Sequence, residues 1–274
     1  MGNLLIVAVT ALGRNIHTSF YFFLRNVALN DLCYLSVTVA KSILNFLLNV
    51  NSIFLPACTA QFFLVICLAG TEMALLTVMS HDRIMAICQL LRYDTIIHRL
   101  ACASMLAASW FSSGLNATLY TTSAVSLSFC GPRAVQPCFC NGPQLLRLPC
   151  FSSHGAENLG LATTVSLPLF CFKLFVVSYV HIFWAVLRLP DAEGRAKAFS
   201  ICLPHFTIVT LYITSGSSAY LKPISDSSSA HELMPSVFYS VVPPTLNPLS
   251  QSNRHVKVVM EKLLGQKPSQ GTFL

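Results

Sequence analysis

Charge is what this chain has least of. Only 10% of its 274 residues are Asp, Glu, Lys or Arg, against roughly 25% in soluble domains. With 54% hydrophobic residues and a mean hydropathy of +0.64, too little polar surface remains to cover a water-soluble globule. Fixed-period repeats and low-complexity linkers are also missing, so residues 1–274 read as a single domain. No HExxH motif and no Ser/His/Asp constellation is present, which argues against an enzyme. Neither inverted repeats nor paired short, Gly/Pro-interrupted segments occur in the two halves, which argues against a polytopic transporter or channel.

What is present is a series of apolar stretches of about 20 residues, the length needed to cross a bilayer. Met1 to Leu12 is a short first stretch. Spans two to four lie within Phe20–Leu48, Cys58–Cys88 and Leu100–Ser123. A polar, Cys-rich segment runs from Leu127 to about Asn158. Spans five to seven lie within Leu159–Leu189, Ala196–Leu221 and His231–Leu249. The basic tail Asn253–Lys262 reads as a short amphipathic helix, with Val256, Val259, Met260 and Leu263 on one face. The expected fold is an all-α membrane protein: a seven-helix bundle with a shortened first helix and a C-terminal amphipathic helix.

Lys and Arg orient it. Arg14, then Arg92 and Arg99, then Arg188, Arg195 and Lys197, then Arg254, Lys257, Lys262 and Lys267 fall at alternate connections and after span seven. The opposite loops hold only Lys41, Arg133, Arg147 and Lys222. The C-terminus is therefore expected in the cytoplasm and the N-terminus outside. The net charge of +7 follows a membrane face and is not gathered on a domain, so nucleic acid is not an expected partner. Lys173 in span five and Arg25 in span two are expected to snorkel to the inner interface.

Cys130, Cys138, Cys140 and Cys150 crowd the long outer loop, and Cys58 starts span three. An extracellular loop matures in an oxidising compartment, where disulfides form. A zinc cluster is the weaker reading, because paired CxxC units and a histidine in register are missing. Inside the membrane, Asp31, Glu72, Asn3 and Asn247 form a candidate polar cluster, since charges at that depth are costly and usually functional. It would either hold a cation such as sodium near Asp31 and Glu72, or form a protonated, hydrogen-bonded packing network; the residues leave both open.

Met79-Ser80-His81-Asp82-Arg83-Ile84-Met85-Ala86-Ile87-Cys88 closes span three and resembles the olfactory-receptor signature MAYDRYVAIC. Lys197-Ala198-Phe199-Ser200-Ile201-Cys202-Leu203-Pro204-His205 resembles the KAFSTCxSH opening of span six in the same family. Ser178-Tyr179, Pro244-Thr245-Leu246-Asn247-Pro248, Gly2-Asn3 and Leu29-Asn30-Asp31-Leu32-Cys33 match as well. Six motifs in order, each on its expected span, cover nearly the whole chain. The resemblance is to odorant receptors, which are rhodopsin-like G-protein-coupled receptors of the plasma membrane.

That resemblance implies a small volatile ligand and a stimulatory heterotrimeric G protein that raises cAMP. It gives Arg83 the role of a switch, paired with Asp82 at rest and turned toward the G protein when active, with Tyr179 holding the open state. Arg188, Arg195 and Lys197 would flank the G-protein groove, and Asn247 and Pro248 belong to the span-seven switch. It implies Cys58–Cys140 and Cys130–Cys150 disulfides, leaving Cys138 over. It places the ligand among Ile66, Ala69, Gly70 and Met73 on span three, Thr163 and Leu167 on span five, and Ile213, Gly216, Ser217 and Tyr220 on span six. That lining is apolar with a few hydroxyls, suited to a weakly polar ligand.

Some positions depart from the family pattern. Ile84 follows Arg83 where tyrosine is usual, and His81 stands two before it. Asn247-Pro248-Leu249-Ser250-Gln251 lacks the tyrosine of Asn-Pro-x-x-Tyr. Asn141 follows Cys140 where an acid is common, and Ile213 stands where many members have tyrosine. No lysine lies between His231 and Ser252, which excludes a retinal Schiff base. At the front, 12 helical residues rise about 18 Å against about 30 Å of hydrocarbon, and the one N-x-S/T sequence is Asn116-Ala117-Thr118, inside span four. The expectation drawn from this front end is an N-terminally truncated chain, with a non-signalling receptor remnant as the rival to a working receptor.

Overall fold

The computed structural model describes residues 2–12, 18–40, 53–88, 93, 97–126, 134–135, 154–188 and 190–221. Six helices follow in order: α1 (Gly2–Leu12), α2 (Ser19–Leu35), α3 (Leu55–Cys88), α4 (Arg99–Ser126), α5 (His154–Leu187) and α6 (Ala192–Leu221). They coincide with the first six apolar stretches. Span seven, with Asn247 and Pro248, and the basic tail lie outside the described residues. So do Cys130, Cys138, Cys140 and Cys150 and, within α3, the side chain of Cys58.

Length and composition explain why these segments are helices in lipid. A spanning segment must satisfy all its backbone polar groups internally. Thr59–Cys88, Ser166–Leu187 and Ala192–Thr214 are each long and apolar enough to cross a bilayer, and Gly2–Ala11 is a shorter apolar helix. Hydroxyls inside the helices back-bond to the preceding turn: Thr10 to the Ile6 carbonyl at 2.7 Å, Thr71 to Cys67 at 2.8 Å and Thr118 to Gly114 at 2.8 Å. A hydroxyl can thus sit in an apolar span without an orphaned donor. α6 starts where Asp191 caps it, its carboxylate accepting from the Glu193 and Gly194 amides at 3.2 and 2.8 Å. α2 ends in a π-helical turn, Ser36–Ala40.

α3 is the central helix. Leu75 and Met79 pack with Phe23 and Val27 of α2 and Cys102 of α4. Met73, Ala74 and Leu76 pack with Cys171, Phe175, Tyr179 and Ile182 of α5 and Cys202 and Val209 of α6. α1 joins through Ile6 against Leu24 and Ala28, and Asn30 donates to the Leu68 carbonyl at 3.1 Å, pinning α2 to α3. Gly70 lets α4 come close. A Cβ there would lie 3.2 Å from Ser113 Oγ and 3.3 Å from Ser113 Cβ. At the other end of α3's outer half, Ile53–Phe54 pairs antiparallel with Ala134–Val135, tying the long loop to the start of α3.

The outer faces are apolar. On α5, Phe170, Val177, Val180, Trp184 and Leu187 are all exposed, opposite the buried Cys171, Phe175, Tyr179 and Ile182 stripe. Lys173 lies on this outward stripe and is itself exposed. Leu187, at the end of α5, is about 21 Å farther along the helix. A cation at that depth costs roughly 2.5–3.5 kcal/mol.

Candidate functional site

The most elaborated polar site lies where the first turns of α2 and α6 meet the last turns of α3 and α5. α3 carries Asp82 and Arg83 there, both buried. They do not pair with each other, which departs from the resting pairing expected above. Asp82 accepts instead from Ser19 Oγ at 2.7 Å and from the Tyr93 hydroxyl at 2.9 Å, and those two hydroxyls touch one another. Each finds its partners elsewhere: the two hydroxyls satisfy the Asp82 carboxylate, and Arg83 is taken up by the Ile201 carbonyl and the Phe20 ring. Tyr93 lies between spans; burial pushes its phenol up to about 12, with the Asp82 charge adding to the shift. It is therefore a protonated donor at physiological pH.

Arg83 donates from Nη1 to the Ile201 carbonyl on α6 at 3.0 Å, and its guanidinium stands 5.1 Å from the Phe20 ring centroid. Tyr179 on α5 reaches the next carbonyl along α6, its hydroxyl donating to Cys202 O at 3.1 Å. The same oxygen lies 2.7 Å from His205 Nδ1. A proton on Nδ1 lets both contacts exist at once: His205 donates to Tyr179, and Tyr179 donates to Cys202. Pro204 lies inside this stretch of α6 and has no amide to offer the Ser200 carbonyl; the side-chain donors fall on the next two carbonyls, Ile201 and Cys202. Around the polar contacts, Phe175, Tyr179, Phe183, Phe199 and Phe206 form one aromatic cluster joining α5 to α6, with centroids 4.6 to 5.9 Å apart.

Two buried nitrogens of the cluster have no hydrogen-bond partner: Arg83 Nε and His205 Nε2. Of the expected flanking cations, Arg188 lies 3.3 Å over the Trp184 ring, Lys197 is exposed and Arg195 is half-buried in the first turn of α6.

The expected ligand residues divide. Met73 lies in the core with Leu167 and Ile213 packed against its cluster, so spans three, five and six do converge there. Ala69 offers its carbonyl to the Tyr212 hydroxyl at 3.0 Å. Ile66 is half-buried on α3. Gly70 is taken up differently: the face it presents is filled by Ser113 and Leu167, so its smallness serves helix approach. The side chains of Thr163, Ser217 and Tyr220, and the surroundings of Gly216, lie outside the described residues. In the intramembrane cluster Asn3, Asp31 and Glu72 are all buried, and each takes part in further interactions. Among the described residues no group of three or more His, Cys, Asp or Glu forms a metal-holding set.

Ser19, Phe20, Tyr93 and Tyr212 lie outside the motifs that the sequence offers, and His205 closes one of them without an assigned role. Tyr212 carries the one usable signal, an aromatic hydroxyl beside the departing Ile213.

A profile of the olfactory receptor family matches residues 1–267. The chain belongs to the olfactory receptor family. Human olfactory receptor 14A16 is 44% identical over 269 residues, covering 97% of this chain and 87% of that protein. Human olfactory receptors 14J1 and 14K1 are each 42% identical, over 97% and 99% of this chain and 84% and 87% of their own lengths. The protein is thus a multi-pass membrane receptor and not an enzyme, and α1–α6 are the first six spans of an olfactory receptor.

Proposed function

We propose that this olfactory receptor binds a small, weakly polar odorant between the outer halves of α3, α5 and α6 and activates a stimulatory heterotrimeric G protein, raising cAMP. The observation that carries this reading is the bond from Arg83 to the Ile201 carbonyl. It makes the position of α6 a determinant of where the only buried guanidinium among the described residues points. The proposed ligand wall and the proposed switch share one core cluster, running from Met73, Leu167 and Ile213 to Tyr179 and Cys202. A ligand that moves α6 by repacking Ile213 therefore acts on the helix that holds Arg83 and Tyr179. Such a two-state element needs a ligand with different affinity for its two positions.

In this reading the Arg83 end faces the cytoplasm of a plasma-membrane protein, with Arg188, Arg195 and Lys197 flanking the G-protein groove and Asn247–Pro248 completing the switch. Cys58–Cys140 and Cys130–Cys150 disulfides would hold the outer loop. Asp31 and Glu72, with Asn3 and Asn247, would supply either a sodium site or a protonated network. The test is a cAMP assay over an odorant panel in cells bearing the receptor at their surface, with N- and C-terminal epitope tags reporting sidedness. A concentration-dependent cAMP rise, with the N-tag accessible outside, supports the proposal. A surface-delivered receptor with no response to any odorant in a panel that activates other members of the family counts against it.

A further inference from the structure

The outward stripe of α5 does something that neither the ligand pocket nor the Arg83 cluster uses. Phe170, Lys173, Val177, Val180, Trp184 and Leu187 repeat at three- and four-residue spacing and are all exposed. They lie opposite the side of α5 that packs on α3 and α6. On such a lipid-facing stripe every residue but one is expected: apolar side chains, with Trp184 near the inner end where aromatic belts lie. Lys173 is the exception. It stands close to the middle of the Leu159–Leu189 span. It has no hydrogen bond, ion pair or ring partner among the described residues, and lipid tails offer none. An ionisable group in that position is costly, and its cost is relieved by a partner of opposite charge.

We propose that this stripe is a docking face for a transmembrane helix of another membrane protein, one that carries an aspartate or glutamate at mid-membrane depth. Charge complementarity selects that occupant. A second copy of this chain does not supply it, because Asp31 and Glu72, the two acids expected at membrane depth, are both buried inside the bundle. A lipid phosphate lies at the membrane surface, and Lys173 would have to cross most of a leaflet to reach one. The apolar residues one and two turns either side of Lys173 give a helix a surface to pack on. The interhelical ion pair then fixes its register.

The experiment uses the full-length receptor reconstituted in phosphatidylcholine vesicles with a labelled single-span, leucine-rich helix bearing one central aspartate. Association is read by energy transfer. Wild-type receptor is expected to bind the aspartate helix about tenfold more tightly than Lys173→Leu does. Lys173→Arg keeps the association, and an all-leucine helix does not distinguish the variants. Lys173→Leu removes no contact of the fold, and retained helicity by circular dichroism verifies this. The proposal is overturned by equal binding of the aspartate helix to Lys173→Leu. Receptor self-association that depends on Lys173 overturns it in favour of a second copy. Loss of co-purifying anionic phospholipid in Lys173→Leu, with the aspartate helix still bound, overturns it in favour of a lipid phosphate.

Discussion

Tyr179 and His205 meet side chain to side chain, the Tyr179 hydroxyl 2.7 Å from His205 Nδ1, and the same hydroxyl reaches the Cys202 carbonyl. α5 is therefore bolted to α6 one turn from the carbonyl that Arg83 holds. Arg83 from α3 and Tyr179 from α5 thus converge on three residues of α6, Ile201, Cys202 and His205. A displacement of α6 cannot leave them all unchanged.

Tyr179→Phe keeps the ring packing and removes only the hydroxyl. It leaves the buried His205 without its side-chain partner, a loss of about 1–3 kcal/mol. If Tyr179 holds the signalling position of α6, odorant-evoked cAMP falls severalfold at matched surface expression. An unchanged concentration–response curve would show that the contact is packing only.

Tyr93→Phe and Ser19→Ala each remove one donor from Asp82. The buried carboxylate then has reason to turn to Arg83, the nearest cation in sequence, in competition with the Ile201 carbonyl. Both variants are expected to weaken the cAMP response, and the double variant more than either alone. Responses equal to wild type would mean that Asp82 does not compete for Arg83.

The same phenol gives a pH signature. Its folded-state pKa, about 12, lies above the ordinary value of 10.0. The protonated form is thus the one that folding favours. The contribution is fully present below about pH 10 and is lost as pH rises from there through about 12. Alkaline difference spectra of purified wild type and Tyr93→Phe should place the extra phenolate step in that upper window. A step at the ordinary tyrosine pKa would contradict the half-buried donor.

Gly70→Ala brings a methyl within 3.2–3.3 Å of Ser113, so α3 and α4 must separate by a few tenths of an ångström. A loss of roughly 1 kcal/mol or more is expected, in line with overpacking elsewhere. Ser113 Oγ is buried without a partner, so Ser113→Ala alone should be neutral or stabilising and should not restore Gly70→Ala fully, because the Cβ contact remains. Thermal unfolding in detergent measures all three. Gly70→Ala as stable as wild type would show that the helices are not in close approach.

The helices were legible because lipid removes the ambiguity that water leaves. A long apolar run can only be a spanning helix or a strand of a closed barrel, and Cys58–Cys88 and Leu159–Leu189 are too long for strands. Their ends were read to within a few residues. α5 begins earlier, at His154, and α6 begins at the Asp191 cap, which hydropathy does not register. The two-residue ladder of Ile53–Phe54 with Ala134–Val135 carried no signal, since two residues have no period. At the site, the motif around Arg83 and Tyr179 identified the right helix turns. Sequence could not say that Asp82 turns to Ser19 and Tyr93. Partners 63 and 11 positions away in the chain leave no local pattern, and neither hydroxyl sits in a recognisable motif. Lys173 stands out in the sequence as a charge within an apolar span, but only the helix's burial pattern shows that it faces outward.

The most direct test of the switch is Arg83→Ala, compared with wild type at equal surface expression against an odorant that evokes cAMP from the wild type. Loss of the cAMP response with odorant binding retained is the predicted result. A variant that signals like the wild type would contradict the account, because the Arg83–Ile201 contact would then be no part of coupling.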